Sequence, residues 1–221
     1  LFFRIQYLLF HFSRGYLLAH LGMSGRLLLA KTGYQPIKHD HVLFDWSHGV
    51  VLRFYDPRRF GSLLWLGPSY EGHRLLSHLG PEPLSDDFHA DYLFAKTRRS
   101  RLAIKVWLMQ QKNVVGVGNI YAQEALFKAR IHPGLSADQL TWAQCQAVII
   151  EIQSVLHHAL MCGGTTLHDY RSALGETGLF QTQLRVYGRG GQPCMRCEYP
   201  LVLERMGGRS TVYCDHCAPL A

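Results

Sequence analysis

Lys112-Asn113-Val114-Val115-Gly116-Val117-Gly118-Asn119-Ile120-Tyr121-Ala122-Gln123-Glu124-Ala125-Leu126 decides how the rest of the chain is read. An apolar turn broken by two glycines runs into an asparagine, a residue type favoured at a helix start. Tyr121, Ala125, Leu126 and Ala129 then recur at helical spacing, with Gln123, Glu124, Lys128 and Arg130 on the other side. Ile131-His132-Pro133-Gly134 stops the helix. A glycine-rich entry to a helix presents unpaired N–H groups beside a positive dipole end, which suits a phosphate. The same pattern also serves as an ordinary capped helix in a bundle.

Upstream of this stretch the periodicity is that of strands. Tyr7 to Phe12 and Tyr16 to Leu21 flank Ser13-Arg14-Gly15, a hairpin signal, and Val42 to Trp46 and Val50 to Tyr55 flank Ser47-His48-Gly49. Ser62 to Leu66 adds another strand, so four or five short strands predict a β-sandwich. A short helix is expected over 71–79, closed by Gly80, and Pro81-Glu82-Pro83 reads as a stiff domain border. Beyond it the period is helical: a helix capped by Ser85-Asp86-Asp87 and running to about Lys96, and a basic one over 98–111. A long helix then begins at the capping box Thr141-Trp142-Ala143-Gln144 and ends at Gly163-Gly164. Residues 174–181 read as a mobile loop, and a small cysteine module follows from Leu184.

Cys194-x2-Cys197-x16-Cys214-x2-Cys217 is the sharpest local signal. Two such knuckles place four thiolates around one structural Zn2+ in a β-hairpin ribbon, with no open position for chemistry. Two disulfides or a redox pair are the alternatives. Arg205 and Arg209 fall at or near the hairpin tip, where a ribbon can offer cations to a phosphate backbone.

Composition is compatible with such a partner. The 221 residues carry a net charge of +7 and 13 histidines, with 48% hydrophobic and 18% charged residues. A basic balance favours a polyanion, nucleic acid before membrane. No uninterrupted apolar run is long enough to span a bilayer, and Leu1-Phe2-Phe3, with no basic region ahead of it, is not expected to be a secretory signal. The remaining cysteines, Cys145 and Cys162, lie alone in helical sequence, so a reducing compartment is expected.

Two turns add chemistry. Asp56-Pro57-Arg58-Arg59-Phe60-Gly61 sets two arginines and an aromatic between strands. It reads either as a solvated type I turn or as a phosphate contact with Phe60 wedged between bases. His20-Leu21-Gly22-Met23-Ser24-Gly25 holds a methionine between glycines, and alone Met23 would pass for core filler.

Taken together, these stretches resemble the bacterial formamidopyrimidine-DNA glycosylases. The matching motifs are His20 to Gly25, Asp56 to Gly61, His78-Leu-Gly-Pro-Glu-Pro-Leu84, Val114 to Ala122, Gly163-Gly-Thr-Thr-Leu167 and Val186-Tyr-Gly-Arg189 before the cysteines. The resemblance implies an α+β multidomain fold: an incomplete N-terminal β-sandwich (1–80), a helix-two-turn-helix domain (81–183) and a zinc finger (184–221). It implies base-excision repair by a DNA glycosylase and abasic-site lyase. Such an enzyme flips oxidised purines such as 8-oxoguanine and formamidopyrimidines out of duplex DNA. It then cuts the glycosidic bond, forming a Schiff base with the sugar, and breaks the strand by β,δ-elimination. Met23, Arg58 and Phe60 match the residues that fill the gap left by the flipped nucleotide. His20, His39, Lys105, Asn119 and Arg209 match positions that hold phosphates or line the DNA cleft, and Arg101, beside Ser100, is a further DNA-binding candidate. Arg209 also matches the proton donor of the second elimination, and the loop near 174–181 the one that closes over the damaged base. The endonuclease VIII branch fills the gap from another loop, so Met23 and Phe60 favour the purine branch. A monomer in the bacterial cytoplasm, associated with the nucleoid and acting on DNA with oxidised bases or abasic sites, is expected. A zinc-ribbon translation accessory protein would leave both the glycine-Asn and arginine turns unexplained.

The departures concern the chemistry. The family's nucleophile is the amine of an N-terminal proline followed by a glutamate; a terminal amine, with pKa near ~8, is a better neutral nucleophile at pH 7 than a lysine at ~10.4. This sequence opens on Leu1, so the chain is expected to lack its N-terminal segment and, on its own, not to excise 8-oxoguanine. Gln6 stands where the family has a catalytic-site lysine, and Ser100 where a lysine is common. Two readings stay open: the body of an ordinary glycosylase, or a catalytically silent, zinc-containing relative that binds damaged DNA.

Overall fold

The computed structural model describes residues 2–4 (main chain only), 7–22, 24–46, 48–162 and 183–220. The expectations placed on Gln6, Met23, Gly163 to Leu167 and the loop at 174–181 lie outside the described residues. The chain divides into two compact units, one of residues 1–73 with 159–182 and one of 74–158 with 183–221.

The first unit holds two antiparallel sheets. β1 (Phe2–Arg4), β2 (Tyr7–Phe12), β3 (Gly15–His20) and β7 (Ser62–Gly67) form one, in the order β1-β2-β3-β7. β4 (Arg26–Lys31), β5 (Asp40–Trp46) and β6 (Val50–Tyr55) form the other, in the order β4-β6-β5. Both expected hairpins are present, with Phe12 paired to Gly15 and Trp46 to Val50. Phe10, Phe12 and Leu17 of one sheet meet Phe44, Trp46 and Leu52 of the other, which makes the pair a sandwich. β4 carries no sequence signal, because Leu27-Leu28-Leu29-Ala30 is an unbroken apolar run without the alternation that marks a half-buried strand.

In the second unit α1 (Ala90–Thr97), α2 (Ile104–Leu108), α3 (Asn119–Ala129) and α4 (Trp142–Met161) pack around a core that includes Phe88, Leu93, Trp107, Val114, Leu126 and Ile152. Three helix expectations are corrected. No helix forms over 71–79; isolated bonds from His73 N–H to Tyr70 C=O and Leu79 N–H to Leu76 C=O make turns, too few to offset nucleation. α1 begins at Ala90 rather than after Asp87, because His89 supplies the cap by accepting from Tyr92 N–H while Ser85 bonds back to Glu82 C=O. The basic helix shrinks to Ile104–Leu108. The residues before it are tied instead to the chain beyond α3, by Ala137 N–H to Leu102 C=O and Asp138 N–H to Ser100 C=O. The capping box of α4 is present: Thr141 Oγ1 accepts from Gln144 N–H, and Gln144 Oε1 from Thr141 N–H.

The second unit also contains the cysteine ribbon, a hairpin of β8 (Val202–Met206) and β9 (Arg209–Tyr213) turned by Gly207-Gly208 with both glycines at positive φ. Its small core of Val186, Leu201 and Val212 borrows Phe127 from α3. Pro81 C=O accepts from Val115 N–H, so the proline stretch packs within this unit.

Candidate functional site

In the sandwich, the arginine turn is built around one carboxylate. Asp56 is buried, with Oδ1 accepting from Ser24 Oγ at 2.7 Å and Oδ2 from Gly61 N–H at 2.7 Å. Burial pushes its pKa up, but these bonds and the Arg58 and Arg59 N–H groups outweigh that and hold it below the usual carboxylate value. Arg58 N–H also donates to Ser24 Oγ at 3.3 Å, so Ser24 and Asp56 lock two turns together. The turns touch so closely that a Cβ on Gly22 would lie 2.6 Å from the Phe60 carbonyl carbon. What emerges into solvent is an exposed Phe60 ring with the Arg58 guanidinium 4.9 Å from its centroid. His20, whose Nδ1 accepts from Gly22 N–H at 3.2 Å, belongs to the same pair of turns. His39 sits one loop away at φ 79, its C=O accepting from Asp56 N–H and its ring edge-on to Tyr55.

In the second unit, helices α2 and α3 grip the ribbon through side chains. Lys105 is fully buried, and its Nζ donates to Thr211 Oγ1 at 3.0 Å. Burial, then the nearby Arg209 guanidinium, draws its ammonium down from 10.5 to about 8. Asn119 does not cap α3: Gly118 holds that position, and Asn119 Nδ2 donates to Ser210 C=O at 3.1 Å. Glu124, also buried, accepts the N–H groups of Arg185, Val186 and Tyr187 at 2.9–3.1 Å. Gln123 and Glu124 were expected on the solvated side of the helix. They are instead the side that holds the ribbon, because the module's outer backbone groups need partners.

Cys194, Cys197, Cys214 and Cys217 bring their sulfurs within 4.8 Å of one another, and all are free thiols. The nearest pairs lie at 3.3, 3.4 and 3.9 Å. That excludes a disulfide, at about 2.05 Å, and suits a tetrahedron of Zn–S bonds of about 2.3 Å. Burial, then hydrogen bonds with the neighbouring thiols, pushes Cys217 up to about 12, so four thiolates here need a cation. The donor set fits one structural Zn2+, held by these four residues with no position left for catalysis.

Three family models cover most of the chain: the formamidopyrimidine-DNA glycosylase N-terminal domain over 4–63, the H2TH domain of the same enzymes over 79–171, and a zinc finger found in FPG and IleRS over 191–220. The formamidopyrimidine-DNA glycosylase of Saccharophagus degradans is 49% identical over 97% of this chain and 79% of its own length. The chain belongs to the formamidopyrimidine-DNA glycosylase family. Among solved structures of that family, Lactococcus lactis Fpg in complex with abasic-site DNA matches at TM-score 0.85 and 33% identity, over 98% of this chain and 80% of that one. A MutM protein bound to DNA containing carbocyclic 8-oxo-G matches at TM-score 0.87 and 33% identity, over 99% and 80%.

Within this family member the expected site residues fall into two groups. His20, His39, Arg58 and Phe60 gather on the turns and loop at one end of the sandwich. Lys105, Asn119 and Arg209 gather where α2 and α3 meet β9; Arg101 stands apart, its side chain 95% exposed and 4.0 Å from Asp138. Sequence reasoning missed Asp56, Ser24, Gln123, Glu124 and Thr211 as organisers. One signal was available: Asn119, Gln123 and Phe127 are spaced by four, which puts them on one helical face.

Proposed function

We propose that this protein is a base-excision repair glycosylase and abasic-site lyase acting on oxidised purines in duplex DNA. The observation that carries the reading is the Arg58–Phe60 pair: an aromatic ring left 56% exposed on a turn that a buried carboxylate holds rigid. Exposing a large apolar ring costs free energy unless something covers it. A duplex with a base rotated out offers an apolar slot of that size beside phosphates for Arg58. Arg209 supplies a cation to the backbone, and Lys105 and Asn119, whose donors are taken up by Thr211 and Ser210, hold the strand that carries it. Arg209 delivers the proton of the second elimination, as in the family. The work assigned to these residues is gripping, flipping support and proton delivery.

The three-part division at 80/81 and 183/184 follows the division of labour: void filling, backbone grip and ribbon. Action as a monomer on the bacterial chromosome, in the cytoplasm, follows from that substrate; no helix among the described residues is long and apolar enough to cross a membrane.

The test is borohydride trapping of the protein, as the cell makes it, on an 8-oxoguanine duplex. A covalent protein–DNA complex is expected. Tight binding without trapping would instead support the silent-binder reading, which Gln6 favours because it replaces a cation with a neutral amide.

A further inference from the structure

We propose that Gln123 is a positioning residue that sets the ribbon strand carrying Arg209. The inference rests on the reading of Arg209 as a DNA-contacting, proton-delivering group.

Gln123 is 2% exposed and uses both ends of its amide. Oε1 accepts from Val212 N–H at 2.7 Å, and Nε2 donates to Ser210 C=O at 3.2 Å and to Asn119 C=O at 2.9 Å. The hairpin register explains why those two backbone groups need a partner. Met206 pairs with Arg209 across the two-residue turn, Arg205 with Ser210 and Leu203 with Val212. In such a hairpin the pair closing the turn exchanges hydrogen bonds and alternate pairs do not. Ser210 and Val212 therefore turn their N–H and C=O away from β8, along the open edge of a two-stranded sheet. Gln123 reads that edge as a third strand would, one acceptor and one donor at the spacing of alternate residues.

The groups around it make the arrangement specific. Asn119 Nδ2 reaches the same Ser210 carbonyl, and Lys105 Nζ holds the intervening Thr211 hydroxyl. Three side chains from two helices thus hold three consecutive residues of β9. The residue immediately before them is Arg209, whose own side chain is exposed. Only an amide serves at position 123: a carboxylate would face the Ser210 and Asn119 carbonyl oxygens with no proton to give, and an aliphatic chain would leave Val212 N–H unpaired and Ser210 C=O with Asn119 alone. The chain between Gly208 and Ser210 is thereby fixed at its far end. A shift of β9 by a fraction of an ångström moves the guanidinium by more, because it sits at the end of a long side chain.

A double-mutant cycle tests this on binding to a duplex with a stable abasic analogue, using wild type, Gln123→Met, Arg209→Ala and the pair. Zinc content and melting temperature confirm that each variant is folded. Gln123→Met is expected to weaken binding about tenfold, and to have no further effect once Arg209 is alanine. Gln123→Met is also expected to lower the salt slope by about one, as Arg209→Ala does. If Gln123→Met fails to fold, Gln123→Glu, which keeps the acceptor for Val212, takes its place in the cycle. An equal loss in both backgrounds would show a merely structural role and overturn the proposal. A neutral Gln123 variant beside a weakened Arg209→Ala would overturn it too. A neutral Arg209→Ala would overturn the reading of Arg209, and the proposal with it.

Discussion

The two candidate regions are braced in opposite ways. The sandwich turns are organised over shorter range: Asp56 and Gly61 are five residues apart in sequence, and the turn's other partners, Ser24, His39 and His41, lie within 34 residues. The ribbon is organised at long range, by Glu124 bonding 61–63 residues away, Gln123 at 87–89, and Lys105 at 106. The first kind of site can present an exposed ring on a short, self-contained turn. The second has almost no apolar core of its own, and is held by a metal and by buried polar side chains from a neighbouring helix pair.

That difference orders what should break each region. Stripping the zinc is expected to have the largest effect. With four thiols left around an empty centre the ribbon unfolds, and duplex affinity should fall at least ~100-fold, because structural zinc supplies most of such a module's folding free energy. Chelation followed by a filter-binding titration checks it, and unchanged binding after full metal removal would sever the ribbon from DNA binding.

Glu124→Gln comes next. Its carboxylate accepts three consecutive N–H groups, and an amide would turn its own N–H toward one of them. A loss of about 2–3 kcal/mol in denaturant unfolding of the zinc-saturated protein is expected. No loss would mean that the metal alone holds the ribbon in place.

Lys105→Met sharpens the comparison by separating stability from binding. The folded-state pKa of Lys105 lies at about 8, below the unfolded 10.5, so the folded protein binds fewer protons between those values. Keeping this lysine charged therefore costs stability below pH 8, a cost relieved as pH rises through 8 toward 10.5. The methionine variant should be the more stable protein below pH 8, by at most ~3 kcal/mol, with the gap closing as pH rises. It should nonetheless bind duplex more weakly. A pH-independent stability difference would refute the buried, strained ammonium.

Asp56→Asn is expected to be the mildest, about 1–3 kcal/mol at neutral pH. The depressed pKa of Asp56 means its contribution is present above the ordinary carboxylate value and is lost as pH falls through the folded one. Wild type and variant should therefore converge in thermal melts only once pH has fallen through the folded-state value, which lies below the ordinary carboxylate value. Persistent separation in acid would show that Asp56 acts through packing, not charge.

The same contrast explains what could be read from the chain in advance. Local signals carried through: both hairpins, the capping box at Thr141, the stop after Ala129 and the paired cysteine knuckles. Their chemistry is complete within a few residues. The polar grip did not, because Gln123 and Glu124 look like solvated helix positions until the partner backbone at 185–187 and 210–212 is known. Asn119 was read as a cap for the same reason: its preference for that position is real, but Ser210 C=O outcompetes it once the ribbon docks. The helix expected over 98–111 failed because pairing with residues 135–138 satisfies its first turns outside a helix.

The most direct test of the account is the affinity of the protein for a duplex carrying a stable abasic analogue against the same duplex undamaged, with wild type, Phe60→Ala and Arg58→Ala compared. The account predicts a preference for the damaged duplex of about tenfold or more in wild type. Both variants should lose that preference; Phe60→Ala should keep the shared, salt-dependent affinity for undamaged DNA, and Arg58→Ala should lower it only by the one phosphate contact removed. Equal affinity of wild type for the two duplexes, or a preference that survives in both variants, would contradict the assignment of the Arg58–Phe60 turn to the space left by a flipped base.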